Sequence, residues 1–221
     1  MIRFEGIYKK YKNAKTEILE DLNFRIHDGD FIILRGEKGK STLLRFIYMM
    51  DKPTSGDIFY NEDKMSKYRF SFQKAKLRRK IAYADEQIWL LEDRTVYQNI
   101  KISVDLLKIK NKERIERVEK IINYFDLGEL QNLKASQLSM QEKVLVILAR
   151  ELIKKPEVVI LDEVFEKLKK ENKDKLLNYL YKLNDERKTV IIVVSKENIF
   201  NESIVKNVYL SGGKINVESD Q

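Results

Sequence analysis

Four consecutive residues near the start of the chain have the side chains and backbone needed to bind a phosphate group. They are Gly39, Lys40, Ser41 and Thr42, and they follow the apolar run FIIL. Where a glycine-containing turn leads from a strand into a helix, backbone N–H groups and the positive end of the helix dipole stabilise an anion. The lysine reaches the β- and γ-phosphates, and the serine hydroxyl binds Mg²⁺. The sequence therefore predicts a phosphate-binding loop.

The first half of this loop departs from the usual spacing G-x-x-x-x-G-K-[ST]. Leu34 stands five residues before Gly39, and the nearest upstream glycine, Gly36, is two residues too close. If Gly36 is the first glycine, the loop has lost two residues and their amides. If Leu34 takes that place, the length is kept, but leucine must adopt a turn that glycine normally permits. An ordinary basic turn between a strand and a helix is the third alternative.

A second group that could do chemistry is the acidic pair Asp162 and Glu163. It follows the apolar run VVIL, which is typical of a strand covered on both faces of a parallel sheet. An aspartate at such a strand end can hold Mg²⁺, and an adjacent glutamate can polarise an attacking water molecule. An acidic pair alone is usually a solvated strand end, but the loop at Lys40 favours the functional interpretation.

The composition excludes several classes of protein. With 221 residues, 43% hydrophobic and 35% charged, the chain is long enough for one large α/β domain. Because cysteine is absent and His27 is the only histidine, the sequence excludes disulfides, thiolate nucleophiles and a histidine–cysteine metal site. The net charge is +8, but apart from runs such as 74–80 the lysines alternate with glutamates, which favours a solvated surface over a specific nucleic-acid site.

Two kinds of hydrophobic pattern predict the strands that must position these residues. Alternating apolar and polar residues indicate antiparallel strands at 2–8 and 18–26. Continuous apolar runs indicate buried parallel strands at 158–161 and 190–194. The remaining strands are predicted at 31–34, 57–60 and 81–84 and in a hairpin at 205–217 that turns at Gly212 and Gly213.

Helical periodicity predicts the elements between these strands. A helix should run from Lys40 to about Met50, and a helix that begins at Asn111 should end near Gly128. The segment 139–152 is apolar almost all round and should be a buried helix. We therefore expect an α/β fold with a mixed sheet, an antiparallel β subdomain and a helical subdomain at about 85–150, all within one domain of residues 1–221.

The order of these motifs resembles that of the ATP-binding-cassette (ABC) ATPases over nearly the whole chain. The matching segments are MIRFEGIYKKY, GDFIILRG, GKSTLL, LRRKIAYADEQIWLLEDRTVYQNI, QLSMQEKVLVILAREL, VVILDE and TVIIVVSKENI. Within that family, LLEDRTVYQN is most similar to the FtsE-type subunits of bacterial cell division. The resemblance implies a P-loop ATPase fold with ATP and Mg²⁺ as cofactors.

The resemblance also implies roles for individual residues. Ser41, Asp162 and Glu86 would hold the metal ion, and Glu163 would be the catalytic base. Tyr11 would stack on adenine, because that contact needs only a flat π surface. The nucleotide-binding residues that the resemblance implies are Tyr11, Gly36, Gly39, Lys40, Ser41 and Thr42.

Several positions depart from the family's pattern. Glu86 stands where the family has a glutamine, although a shift of one residue would put Gln87 there instead. The switch histidine falls at Ser195, and the aspartate loop after Val164 contains Glu166. These positions organise the closed nucleotide-bound dimer of the family, so the resemblance implies a weak nucleotide sandwich or none.

The signature Leu-Ser-Gly-Gly of the family is also altered. It reads Leu138, Ser139, Met140 and Gln141 in this chain. The family's glycines let one subunit approach the γ-phosphate bound to the other, and the two longer side chains should obstruct that approach. An ordinary helix start explains the stretch equally well, because Ser139 and Glu142 fit a capping box.

The resemblance further implies a membrane partner. FtsE-type subunits dock an integral membrane protein, FtsX, beside the glutamine position, where Trp89, Leu90, Leu91 and Tyr97 fall. The alternative for Leu90 and Leu91 is that they close the core of the helical subdomain. With no signal pattern and no membrane-spanning run in the sequence, we expect a cytoplasmic protein, held at the inner face of the membrane by its partner.

Three functions follow as hypotheses. The first is an ATP-binding subunit of an FtsEX-like complex, a homodimer or heterodimer of ATPase chains that binds Mg-ATP with weak or absent hydrolysis. The second is a pseudo-ATPase scaffold that holds a transmembrane partner without binding nucleotide. The third is the hydrolysing subunit of a lipoprotein- or macrolide-type exporter, in which a second ATPase chain compensates for the altered motifs.

Overall fold

The structure is a computed structural model that describes residues 1–12, 14–68, 70–85, 87 and 89–217. Glu86, which the resemblance makes a metal ligand, lies outside the described residues.

The strands of the described residues lie in two sheets. A four-stranded antiparallel sheet has the order β2-β1-β4-β5, and a six-stranded mixed sheet has the order β10-β9-β3-β8-β7-β6. In the mixed sheet the strands β9, β3, β8, β7 and β6 are parallel to their neighbours, whereas β10 is antiparallel to β9. The strands are β1 (Ile2–Lys9), β2 (Leu19–Ile26), β3 (Phe31–Gly36), β4 (Ser55–Tyr60), β5 (Asp63–Lys64), β6 (Ile81–Ala84), β7 (Val158–Asp162), β8 (Val190–Val194), β9 (Lys206–Ser211) and β10 (Lys214–Val217).

The predicted helices form, and two of them end earlier than expected. The first helix ends at Ile47 rather than near Met50, because Met49 takes a left-handed backbone conformation with φ 59°. The helix that begins at Asn111 ends at Tyr124, where Asp126 rather than Gly128 takes the left-handed position. The helices are α1 (Lys40–Ile47), α2 (Ser71–Arg78), α3 (Val96–Asp105), α4 (Asn111–Tyr124), α5 (Met140–Leu152) and α6 (Lys170–Arg187).

The two faces of the mixed sheet pack against different parts of the chain. Along β7, Val159 and Leu161 belong to a core cluster shared with α3, α4, α5 and α6. Val158 and Ile160 belong to a second cluster shared with α1 and the antiparallel sheet. Because successive side chains of a strand point to opposite faces, the continuous apolar run of β7 fills both cores at once. This explains why the sequence shows no alternation there.

The residues with candidate chemistry lie at one edge of the mixed sheet. Gly36 ends β3, Asp162 ends β7 and Ser195 follows β8, and β8 lies between the other two strands. All three strands are parallel, so their carboxyl ends meet at the same edge. In open α/β sheets ligands bind outside the carboxyl ends of the strands.

Candidate functional site

The glycine-containing turn before α1 begins at Gly36 and not at Leu34. Leu34 is buried inside β3, opposite Val208 of β9, and the left-handed backbone conformations fall at Gly36 (φ 102°) and Gly39 (φ 110°). A Cβ atom on Gly36 would lie 2.1 Å from the carbonyl oxygen of Leu210, so a side chain cannot be accommodated without a shift of the backbone. Core burial keeps the leucine in the strand and leaves a short loop, Glu37 to Gly39, before α1.

The ammonium group of Lys40 lies over this loop. Its Nζ donates hydrogen bonds to the backbone oxygens of Gly36 (2.5 Å) and Glu37 (2.7 Å). The N–H group of Glu37 donates to the Leu210 oxygen at 2.9 Å, so this amide is already used. The first N–H groups of α1 have no partner within the helix, and no acidic residue occupies its first turn. The Lys40 ammonium group and the first amides of α1 therefore both lie beside the loop.

Tyr11 is held beside the loop by a small polar network. Its hydroxyl donates to Asp51 Oδ2 (3.1 Å) and lies 3.1 Å from the hydroxyl of Thr42. Lys9 Nζ donates to Asp51 Oδ1 (2.7 Å) and sits 4.7 Å from the centre of the Tyr11 ring. Burial alone would raise the pKa of Asp51, but the hydrogen bonds from Lys9, the Lys52 amide and Tyr11 together lower it. The network fixes the ring, and Lys9 covers one of its faces.

An open cleft of about 1050 Å³ lies between Tyr11 and the loop. Its walls carry charges of both signs, from Glu17 and Glu37 and from Lys38 and Lys40. The cleft is large enough for a nucleotide. It is lined by Tyr11, Ala14, Thr16, Glu17, Ile18, Glu37, Lys38, Gly39, Lys40, Ser41, Thr42, Gly212 and Gly213.

The acidic pair after β7 is placed by the sheet. Asp162 is buried, and Glu163 takes a left-handed backbone conformation (φ 55°) while its N–H group donates to the Val194 oxygen at 2.9 Å. A non-glycine residue in this conformation costs about 1–2 kcal/mol. Among the described residues, no three histidine, cysteine, aspartate or glutamate side chains form a metal-binding group. Ser41 and Asp162 offer the oxygen ligands that Mg²⁺ prefers, and nucleotide phosphates would complete its shell.

The residue at the switch position is engaged by Glu166. Ser195, which is 5% exposed, donates its hydroxyl hydrogen to Glu166 Oε1 at 2.8 Å. The same oxygen accepts the N–H of Lys196 at 2.8 Å, and the Ser195 hydroxyl accepts the N–H of Glu197 at 3.0 Å. The carboxylate of Glu166 thus ties the loop after β8 to the loop after β7. The sequence contains no signal for this bond, because its partners are 29 residues apart.

The altered signature stretch is an ordinary helix start in this structure. Ser139 is the N-cap of α5, and Glu142 Oε2 accepts hydrogen bonds from the Ser139 hydroxyl and amide, both at 2.7 Å. The predicted capping box is therefore confirmed, and these bonds lower the pKa of Glu142. Gln141 Oε1 accepts the N–H of Lys169 at 3.1 Å, whereas Met140 is 61% exposed.

The four residues expected to face a partner separate into two groups. Trp89 and Leu91 are exposed at 69% and 44%. Leu90 belongs to the core, and Tyr97 is half-buried against that core. This corrects the expectation for Leu90 in favour of its alternative, closure of the helical core.

Leu91 lines a groove of about 380 Å³ beside α3. The exposed side chains of Ile102 and Leu106 give the groove an apolar wall. Its edge is fixed by Asn99, which is fully buried: Asn99 Oδ1 accepts the N–H of Leu91 at 2.9 Å, and its Nδ2 donates to the Leu91 oxygen at 3.0 Å. The sequence carries no signal for Asn99, because a buried asparagine in a helix has no distinctive spacing.

The chain is similar in sequence to a known protein family and to several known proteins. The family described as "ABC transporter" matches residues 19–166. The chain is 32% identical over 201 residues to Methionine import ATP-binding protein MetN 1 of Bacillus anthracis, covering 89% of this chain and 58% of that protein. It is 30% identical over 220 residues to MetN 2 of Bacillus cereus, covering 97% of this chain and 65% of that protein. The chain thus spans about three fifths of the length of these relatives.

Solved structures share the whole fold. The dimeric post-hydrolysis state of the ATP-binding cassette MJ0796 bound to ADP and Pi has a TM-score of 0.85 and 26% identity, and the match covers 100% of this chain and 98% of that chain. An ATP-binding subunit of an ABC transporter matches with a TM-score of 0.86 at 20% identity, covering 99% and 90%. The second likeness concerns the fold alone. The arrangement of sheets and helices is therefore the ABC ATPase P-loop fold, as the motifs predicted.

Proposed function

The chain belongs to the ABC transporter family, and from that premise we propose that it is the ATP-binding subunit of a membrane complex, binding Mg-ATP with weak or absent hydrolysis. The observation that carries the proposal is the position of Lys40. Its ammonium group, the free amides at the start of α1 and the Tyr11 ring all border one cleft. Phosphate oxygens can replace the two backbone oxygens that Lys40 now contacts, because the attraction between an ammonium and an anionic oxygen is stronger than that between an ammonium and a neutral carbonyl.

Weak hydrolysis is supported by the hydrogen bonds that the residues at the signature and switch positions already make. Glu166 occupies the Ser195 hydroxyl and the Lys196 amide, and Gln141 is bonded to the Lys169 amide. Met140 and Gln141 put side chains where the family has glycines. Asp162 and Glu163 do not line the described cleft. A closed dimer that used Glu163 as a base would have to break several of these contacts.

The test is calorimetric titration of the purified chain with Mg-ATP. We expect saturable binding, and Lys40→Ala should weaken it about a hundredfold, because charge-assisted bonds to phosphate contribute about 1.5–3 kcal/mol each. Lys38→Ala is the matched control, since this lysine lines the same cleft but is not the motif lysine. Equal effects of the two variants would contradict the proposal.

A scaffold that does not bind nucleotide is the second candidate. One observation favours it: the Glu37 amide, which lies in the loop, is bonded to the Leu210 oxygen, so fewer amides remain for phosphate. The same titration decides between the candidates. An absence of heat with both the parent chain and Lys40→Ala, each shown to be folded by circular dichroism, would establish the scaffold.

The proposed partner is an integral membrane protein that docks at the groove of Leu91, Ile102 and Leu106. No helix of the described residues is long and apolar enough to cross a membrane. The resemblance at LLEDRTVYQN supports an FtsX-like partner, whereas the relatives above are named for methionine import. Co-purification from a membrane fraction should identify the partner. The variant Ile102→Glu should no longer co-purify with it. Recovery of an FtsX-like protein or of a methionine-import component would decide the type of complex.

The division of the chain is also a proposal. We propose that residues 1–221 form one ATP-binding domain with a helical subdomain near 85–150. The helices α3, α4 and α5, which share one core cluster, support it. Limited proteolysis should release no stable fragment shorter than the domain.

A further inference from the structure

Positive charge is concentrated in one segment, residues 64–80, which contains α2. It holds eight lysine and arginine residues and no acidic residue, so its charge equals the net charge of the whole chain, +8. Three of these cations pair with acidic side chains outside the segment, at nitrogen–oxygen distances from 2.7 to 4.0 Å. Lys76 and Arg79 form no ion pair with any residue that the structure describes. The charge on the outer side of α2 is therefore uncompensated.

Two exposed aromatic rings lie at the start of the same helix. Phe70 is 63% exposed and Phe72 70%, and their rings stack with centroids 5.9 Å apart and an angle of 13° between the planes. Exposure of such side chains to water is unfavourable, because apolar surface is more stable when it is removed from water. The helical repeat puts Phe72 and Lys76 on one exposed face of α2, and the C-cap residue Arg79 continues this face, whereas the buried Leu77 points away from it. An apolar tip and unpaired cations therefore share one solvent-facing surface.

We propose that this surface, made of Phe70 and the outer face of α2, binds anionic lipid headgroups directly. A membrane surface offers a dense negative layer to Lys76 and Arg79, and an apolar boundary below it to the two rings. Nucleic acid would use the rings as stacking platforms, but one face of each ring is already covered by the other ring. A lipid surface therefore fits both features at once.

The inference goes beyond the proposed function, because it requires neither nucleotide nor a partner protein. It also adds a geometric role to α2. Ala75, Arg78 and Arg79 form one side of the groove that contains Leu91. Contact of α2 with lipid would hold this groove at the membrane surface, where an integral partner presents its cytoplasmic loops.

The test is co-sedimentation of the full chain with vesicles, without nucleotide or partner. We expect binding to mixed phosphatidylcholine–phosphatidylglycerol vesicles and no binding to pure phosphatidylcholine. Lys76→Gln with Arg79→Gln should weaken the partition about 25-fold, since each cation near an anionic surface contributes about fivefold. Phe70→Ala with Phe72→Ala should weaken it about a hundredfold, since moving each ring out of water contributes about tenfold. Because these side chains are exposed, both double variants should fold.

The matched control is Lys112→Gln with Lys120→Gln, which removes the same charge from the exposed surface of α4. This variant should bind vesicles like the parent chain, and so should Ile102→Ala with Leu106→Ala, which alters the groove. Absence of vesicle binding, equal binding to both kinds of vesicle, or equal loss in the lysine control would overturn the proposal. Tighter binding of a short oligonucleotide, lost in the Lys76 and Arg79 variant, would assign the surface to nucleic acid instead.

Discussion

The loop between β3 and α1 and the loops after β7 and β8 lie at the same edge of one sheet, but they use their polar groups differently. Around Lys40, the hydrogen bonds of the side chain go to backbone oxygens that a phosphate can replace. Around Ser195, the Glu166 carboxylate of the same chain already accepts the hydrogen bonds of the serine hydroxyl and of the next backbone amide. Under the proposed function, nucleotide binding and hydrolysis would therefore depend on different groups at this edge of the sheet.

The largest expected effect tests how the loop at Lys40 is shaped. Gly36→Ala should lower the free energy of unfolding by about 3 kcal/mol, because the residue is left-handed and a methyl group would meet the Leu210 oxygen. Chemical denaturation measures the change. Gly128→Ala is the control, since nothing lies within 4 Å of a Cβ there, and it should shift stability by less than about 0.5 kcal/mol. A similar shift in both variants would mean that β9 does not constrain the loop.

The next effect concerns the ring beside the loop. Tyr11→Ala should weaken Mg-ATP binding about tenfold, because a base stacked on an aromatic ring contributes about 1–3 kcal/mol. Tyr11→Phe keeps the ring but loses the hydrogen bonds to Asp51 and Thr42, so its affinity should stay near that of the parent chain. Calorimetric titration measures both. Equal losses would show that the ring position, and not stacking, governs binding.

Most of the fold could be predicted from the sequence, because it depends on periodic patterns. The strands at 81–84 and 190–194 form over the predicted residues, and the hairpin turns at Gly212 and Gly213 as expected. The alternation at 2–8 predicted an antiparallel strand, and β1 pairs antiparallel with β2. Burial of one face of a strand sets an alternating pattern and burial of both faces sets a continuous apolar run, so both can be seen without the structure.

The site was less predictable, because its contacts join residues that are distant along the chain. Lys9 reaches Asp51 from 42 residues away, and Ser195 reaches Glu166 from 29 residues away. Polar pairs of this kind have no periodicity. The sequence also left open whether the loop begins at Leu34 or at Gly36. The answer depends on the burial of Leu34 within β3, which the sequence does not show.

A smaller effect tests whether Ser139 acts as the N-cap of α5. Ser139→Ala should cost about 1 kcal/mol of unfolding free energy at neutral pH, because it removes the N-cap of α5. The pKa of Glu142 is lowered by its bonds to Ser139, so this contribution is present above the unfolded pKa of 4.5 and is lost as the pH falls through the folded value. The stability difference between parent and variant should therefore shrink in acid, and a constant difference would contradict the capping role.

The smallest expected effect is on turnover. Glu163→Gln should leave the ATPase rate nearly unchanged, because the groups around Ser195 and Gln141 are held in contacts that oppose a closed dimer. An active general base contributes about 10²–10⁴-fold. A basal rate that falls by that factor in a phosphate-release assay would show that the second region is as competent as the first, and the comparison would fail.

Asn99 has a consequence for the rate of partner binding. Because its buried amide holds Leu91 on both the N–H and the carbonyl side, the edge of the groove is set before any partner arrives. Docking on a preformed surface orders few new torsions, so its cost in conformational entropy is low. Association should then follow a single exponential whose observed rate rises linearly with partner concentration, without a slower phase for rearrangement of the groove.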